Sequence, residues 1–106
     1  MVKYKVIRTD TADAGIRSII LYIAQNFGKE VALKKLNELE EQILALEDDP
    51  YLGTEPGYLV WKRQGYKVLV HDKDLAFYKV DDQRKCIVIY AVVDQRQDYL
   101  NIVRGL

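Results

Sequence analysis

The chain has 106 residues, 49% of them apolar and 30% charged. That is one domain's length, enough to bury a core without disulfide or metal staples, and the composition excludes intrinsic disorder. Lys and Arg balance Asp and Glu to a formal net charge of zero, so the strongly basic character of an avid nucleic-acid binder is missing.

The charge is nonetheless uneven. Residues 1–55 carry 7 basic and 10 acidic side chains and residues 56–106 carry 9 and 6, so a polyanion would meet the C-terminal half. The single cysteine, Cys86, sits in an apolar run and reads as a small core residue in a protein of a reducing compartment. One histidine and one cysteine furnish no common structural zinc site, and no cofactor or metal motif is present. The start at Met1 runs straight into a strand-like alternation, and no apolar stretch approaches the ~20 residues of a membrane helix. A soluble cytoplasmic protein without membrane contact is expected.

Residues 2–8 read as a first strand. Asp10 and Thr11 are helix-capping types, and Ala12, Ile16, Ile19, Ile20, Ile23, Ala24 and Phe27 then trace one face of a helix that Gly28 stops. A second helix spans about 29–47. Its seam of Ala32, Leu36, Leu39, Ile43 and Leu46 suits antiparallel packing on the first, through Ile16, Ile20, Ile23 and Phe27 against Leu36, Leu39 and Ile43. Lys34, Lys35, Glu38, Glu41 and Gln42 form its solvated face, and Asp48-Asp49-Pro50 ends it. After a Pro/Gly-rich loop the period becomes that of strands. The runs are 58–63, 66–71, 75–80 and 85–93, separated by turns at Gln64-Gly65, Asp72-Lys73-Asp74 and 81–84. Residues 94–104 suit a short terminal helix or an ordered tail. The order predicts one α+β domain over 1–106: a strand, an antiparallel helical hairpin, then a three- to four-stranded antiparallel meander. The helices cover one sheet face and leave the other more open.

Three places carry candidate chemistry. His71 ends a strand among charged residues, where it is either a general base or simply an exposed turn histidine. Lys62, Arg63 and Lys67, flanked by Tyr58, Trp61 and Tyr66, suit stacking of bases with pairing of phosphates, or else make an ordinary solvated hairpin. The last apolar strand runs into Asp94, Arg96, Asp98 and Tyr99. Those residues are either an active site delivered by a rigid strand or a capping network in which Arg96 pairs with an aspartate.

The ordered set of Tyr4-Lys5-Val6, the hairpin ending in 46–50, Gly65-Tyr66-Lys67-Val68-Leu69-Val70, Leu75-Ala76-Phe77-Tyr78-Lys79-Val80 and the ending Arg96-Gln97-Asp98-Tyr99 resembles the RelE/ParE toxins of bacterial type II toxin–antitoxin systems. The resemblance covers nearly the whole chain. It implies a small cognate antitoxin as partner and, in RelE-like members, ribosome-dependent cleavage of mRNA without cofactor or metal. ParE-like members instead poison DNA gyrase without catalysis, and a degenerate toxin would only bind its antitoxin.

Carried over by position, Arg96 would stabilise phosphate charge, Asp94 would be a base where many relatives have histidine, and Tyr99 would be the terminal aromatic. Lys67, with Lys62, Arg63 and His71 nearby, would bind substrate. Leu75 and Gln97 stand where nuclease relatives often carry arginine. The RelE-like reading leads, with the gyrase-directed one as alternative.

Overall fold

The computed structural model describes residues 3–56 and 59–94, with backbone alone at 59 and 60. The elements are β1 (Lys5–Arg8), α1 (Asp10–Phe27), α2 (Lys29–Ala45), α3 (Leu59–Arg63), β2 (Lys67–His71), β3 (Asp74–Asp81) and β4 (Cys86–Asp94). The strands lie in the order β1-β4-β3-β2. The last three form the expected antiparallel meander, whereas β1 pairs in parallel with β4, Lys5 opposite Cys86 and Arg8 opposite Ile89. The α+β order is the one the sequence predicts. The expected terminal element at 94–104 lies almost wholly outside the described residues. No helix among the described residues is long and apolar enough to cross a membrane.

Thr9, rather than Asp10 or Thr11, caps α1. Its hydroxyl accepts from the Ala12 N–H at 3.1 Å and donates to the Tyr90 carbonyl at 3.1 Å, so one side chain starts the helix and ties it to β4. Asp10 and Asp13 then occupy the first turn, where the helix dipole favours acids. Gly28 stops α1 as expected, at a φ of 98° that suits glycine.

The hairpin seam is largely as predicted. Ala12, Ile16 and Ile19 of α1 and Ala32, Leu39 and Ile43 of α2 are buried, with Ile20, Ile23 and Leu36 packed beside them. Phe27 departs from it, at 65% exposed. A seven-residue stripe drifts by about 20° per heptad on a straight helix, and at the bend it has turned off the core.

The sheet has a core on each face, and an irregularity in β4 makes that arrangement work. Phe77 pairs with Ala91 but Tyr78 pairs with Ile89, which leaves Tyr90 as the extra residue of a β-bulge. The bulge shifts the alternation by one. Ile87, Ile89 and Val92 therefore all join the helical core with Ala76 and Tyr78. Tyr90, Ala91 and Val93 join a second cluster with Trp61, Tyr66, Val68 and Phe77.

That second cluster corrects two expectations. Residues 59–63, read as strand, form the single-turn helix α3, and the face expected to be open is covered by its Trp61. Consecutive apolar residues at 59–61 carry no clear period, and burial of the indole decides the conformation. Its ring meets Phe77 edge-on at 5.5 Å. Gly65, at φ 87°, then turns the chain into β2.

α1 touches β4 at Gly15, where an added Cβ would lie 2.0 Å from the Val92 carbonyl oxygen. Backbone cannot yield as a side-chain tip does, so only glycine permits this approach. Gly15→Ala should lower unfolding free energy by about 3 kcal/mol, read by urea denaturation. Wild-type stability in that variant would show the helix free to lift.

Candidate functional site

Of the seven residues singled out in the sequence, five are described, and they divide between two ends of the sheet. Lys62 and Arg63 are exposed on α3, and Lys67 begins β2. His71 ends β2 and Asp94 ends β4, and both stand in register with Asp74, His71 on one side and Asp94 on the other. Four residue-to-residue steps of strand, about 13 Å at ~3.3 Å each, separate Lys67 from His71. Arg96 and Tyr99 lie outside the described residues.

At the first end the chain builds a small depression of about 280 Å³ lined by Tyr51, Glu55, Lys62, Gly65, Tyr66, Lys67 and Val80. Its loop wall is held by specific bonds. The buried Tyr78 hydroxyl donates to the Pro50 carbonyl at 3.0 Å and accepts from the Gly53 N–H at 2.9 Å. Thr54 exchanges two backbone hydrogen bonds of 2.8 Å with Val68, so the loop lies along the outer edge of β2. The Tyr51 hydroxyl donates to Asp82, which also accepts from Tyr4 at 2.6 Å.

Lysines and tyrosines alternate around this end. The Lys67 ammonium lies 5.1 Å from the Tyr51 ring centre. Lys79 lies 4.4 Å from Tyr66 and 5.6 Å from Tyr90, and those two rings meet edge-on at 5.5 Å. Lys62 pairs with Glu55 at 3.0 Å. Tyr51, Glu55, Lys79 and Tyr90 were not singled out in the sequence. They come from three separate segments, and no local spacing joins them.

The second end is acidic. Asp74, read as part of a turn, is the first residue of β3 and only 2% exposed. Its carboxylate meets the Lys35 ammonium at 2.5 Å, and Asp72 meets the same ammonium at 3.5 Å. The α2 face expected to be solvated is thus partly a latch on the β2–β3 turn, with Glu38 3.4 Å from His71 Nε2. Burial pushes the Asp74 carboxyl up; Lys35 opposes that push and nearby Asp94 and Asp72 add to it. Burial acts to lower the Lys35 pKa, but Asp74 and Asp72 outweigh it and hold the ammonium charged. The two partners pull in opposite senses, and the 2.5 Å contact decides for an ionised pair. A groove of about 760 Å³ runs beside it between α1, α2 and the turn, with Tyr22, Phe27, Val31, Lys35 and Asp94 among its walls. Among the described residues no group of three or more His, Cys, Asp or Glu is placed to hold a metal.

The comparisons with known proteins agree with this architecture. The family model described as ParE toxin of type II toxin-antitoxin system, parDE, matches residues 6–99. The chain belongs to the ParE toxin family. Comparison with curated protein sequences gives no match.

Among solved structures, it is similar to a chain of the chromosomal ParDE toxin–antitoxin system from P. aeruginosa, with 22% identity, a TM-score of 0.71 and coverage of 87% of this chain and 96% of that one. It is also similar to a chain of the RelBE2 toxin–antitoxin complex from Mycobacterium tuberculosis, with 20% identity, a TM-score of 0.66 and coverage of 92% and 97%. A mutant of E. coli RelE in the free state matches at 12% identity and a TM-score of 0.61, covering 99% and 100%. ParE and RelE folds are therefore both near.

Two variants test the site's electrostatics. Lys35→Ala leaves Asp74 buried without its cation and should cost about 3–5 kcal/mol; unchanged urea unfolding would mean the pair is not formed. Hydrogen bonds from Tyr4 and Tyr51 hold the Asp82 carboxyl below its usual value of 3.8, and the bond to Asp82 pushes Tyr51 up to about 12. Because the folded pKa is the lower one, this stabilisation is present above 3.8 and lost as pH falls through the folded value. Melting curves should show wild type above Asp82→Asn at neutral pH, with the gap closing in acid.

Proposed function

We propose that this ParE-family toxin acts on RNA, cutting mRNA at the ribosome, and that a small cognate antitoxin neutralises it. The observation that carries the reading is the convergence of Lys62 and Lys67 on one depression with Tyr51 and Tyr66, extended by Lys79 beside Tyr66. Single-stranded RNA is held by cations that pair its phosphates and by rings that stack its bases, and this end supplies both. The antitoxin is supported by the two toxin–antitoxin assemblies among the similar structures.

Cleavage by the ribose 2′-hydroxyl needs a base for that hydroxyl, a cation for the charge gathering on phosphorus and an acid for the departing oxygen. In this reading Asp94 with Arg96 and Tyr99, at the far end of β4 and just after it, serve the reacting phosphate. Lys62, Lys67 and the exposed Arg63 grip the strand a few nucleotides away. His71, which faces Glu38 on α2, orients that side chain and does not touch RNA.

A second reading, a protein-directed toxin that poisons DNA gyrase, is favoured by one observation. Asp94 stands beside Asp74 and Asp72 in an acidic corner that repels phosphate. Induction in cells separates the two. The RNA reading expects cut transcripts and halted translation, and the gyrase reading expects DNA-damage signalling and filamentation with transcripts intact.

Within the RNA reading, a Lys62→Ala/Lys67→Ala double variant should lose about tenfold in RNA cutting per lysine while melting as wild type does, since a hydrogen bond to a charged group contributes about 1.5–3 kcal/mol. Full growth arrest by that variant would remove the depression from the mechanism. Co-expressing the product of the adjacent open reading frame should restore growth and co-purify with the toxin.

A further inference from the structure

We infer that Asp82 stands in for an RNA phosphate, filling an anion cradle made by Tyr4, Tyr51 and Lys85 from which a phosphodiester displaces it; this rests on the RNA reading above. The cradle is assembled from three separate parts of the chain. Tyr4 precedes β1, Tyr51 lies on the loop after α2, and Asp82 and Lys85 belong to the β3–β4 turn. The Tyr4 hydroxyl donates to one Asp82 oxygen at 2.6 Å and the Tyr51 hydroxyl donates to the other. The Lys85 ammonium lies 3.5 Å from the Tyr4 hydroxyl.

Hydroxyls converging from two segments, with an ammonium beside them, suit any anion that offers two oxygens. They hold the Asp82 carboxyl, with help from Lys85, below its usual range. A phosphodiester presents the same pair of anionic oxygens on one atom. The turn itself does not depend on Asp82. Asp81 accepts from the Arg84 N–H at 3.1 Å, and Lys85 takes the left-handed conformation, at φ 53°, that closes the turn. Asp82 is exposed, so its carboxylate returns to water at little cost once another anion arrives.

Tyr51 joins the cradle to the depression. Its ring walls the depression and faces the Lys67 ammonium at 5.1 Å, while its hydroxyl bonds Asp82. A strand gripped by Lys62 and Lys67 thus carries a neighbouring phosphate to the two hydroxyls. Until then Asp82 keeps both donors aimed and holds the affinity for RNA down.

The test is binding of a short, uncuttable 2′-O-methyl oligouridine to the purified full chain, read by fluorescence anisotropy. Asp82→Ala should bind about tenfold more tightly than wild type, the scale of one hydrogen bond to a charged group. Asp82→Asn, which keeps one acceptor, should gain less. Adding Tyr4→Phe and Tyr51→Phe to Asp82→Ala should erase the gain, because the rings stay and only the donors go. Asp81→Asn removes the same charge one residue away and should bind as wild type does. The oligonucleotide should also raise the melting temperature of Asp82→Ala more than that of wild type.

Binding by wild type with no gain in a folded Asp82→Ala would overturn the cradle and leave the RNA reading standing. So would a gain that survives loss of both hydroxyls, or an equal gain in Asp81→Asn. Were Asp82→Ala not to fold, the same outcomes are read from Asp82→Asn. No binding by wild type or any variant would instead overturn the RNA reading, and the cradle with it.

Discussion

The extra residue at Tyr90 is the constraint on which the rest of this fold depends. β4 is one of the two inner strands, paired with β1 on one side and β3 on the other, and it must serve a core on each face. A regular alternation beginning with Ile87 and Ile89 would send Ala91 and Val93 to the helices and Val92 to the far side. The bulge reverses that, giving Val92 to α1 at the Gly15 contact and Ala91 and Val93 to Trp61 and Phe77. The carbonyl of the bulged residue receives the Thr9 hydroxyl, so the irregularity also fixes where α1 begins.

The fold was legible in the sequence wherever one period dominated. The 3.6-residue pattern located both long helices, and the stops at Gly28 and Pro50 bounded them to within a few residues. Close polar turns marked the meander. What the pattern could not carry was anything decided by tertiary contact. Residues 59–63 are too few and too uniformly apolar to distinguish a turn of helix from a strand until Trp61 has a surface to cover. Asp74 looks like its neighbours Asp72 and Lys73 in the sequence, and only the arrival of Lys35 from α2 makes its burial tolerable. The candidate site was legible in part for the same reason. Lys62 and Lys67 sit near each other in the chain, whereas Tyr51, Glu55, Lys79 and Tyr90 join them only through strand pairing and a loop anchored on Tyr78.

Two electrostatic environments result at opposite ends of one sheet. One end pairs lysines with tyrosine faces, an arrangement in which a cation is held near a ring at modest desolvation and remains available to an anion. The other sets Asp74 and Asp72 against the half-buried Lys35 ammonium, with Asp94 close to Asp74. A zero net charge therefore conceals two different local environments, and only the end with its lysines beside tyrosine faces offers cations to an anion.

The parallel pairing of β1 with β4 sets the order in which the protein can come into being. The helical hairpin and the β2–β3 turn close over short loops, but β1 must wait for a partner from near the far end of the described chain. During synthesis from the N-terminus, Tyr4 has no Asp82 to meet until β3 and its turn have emerged, and Thr9 no Tyr90 carbonyl until β4 has. A nascent chain stalled before that point holds a hairpin with only the β2–β3 pair to cover its apolar face, lacking Ile87, Ile89 and Val92. The described fold is thus complete only once β4 has been made, however early its helices form.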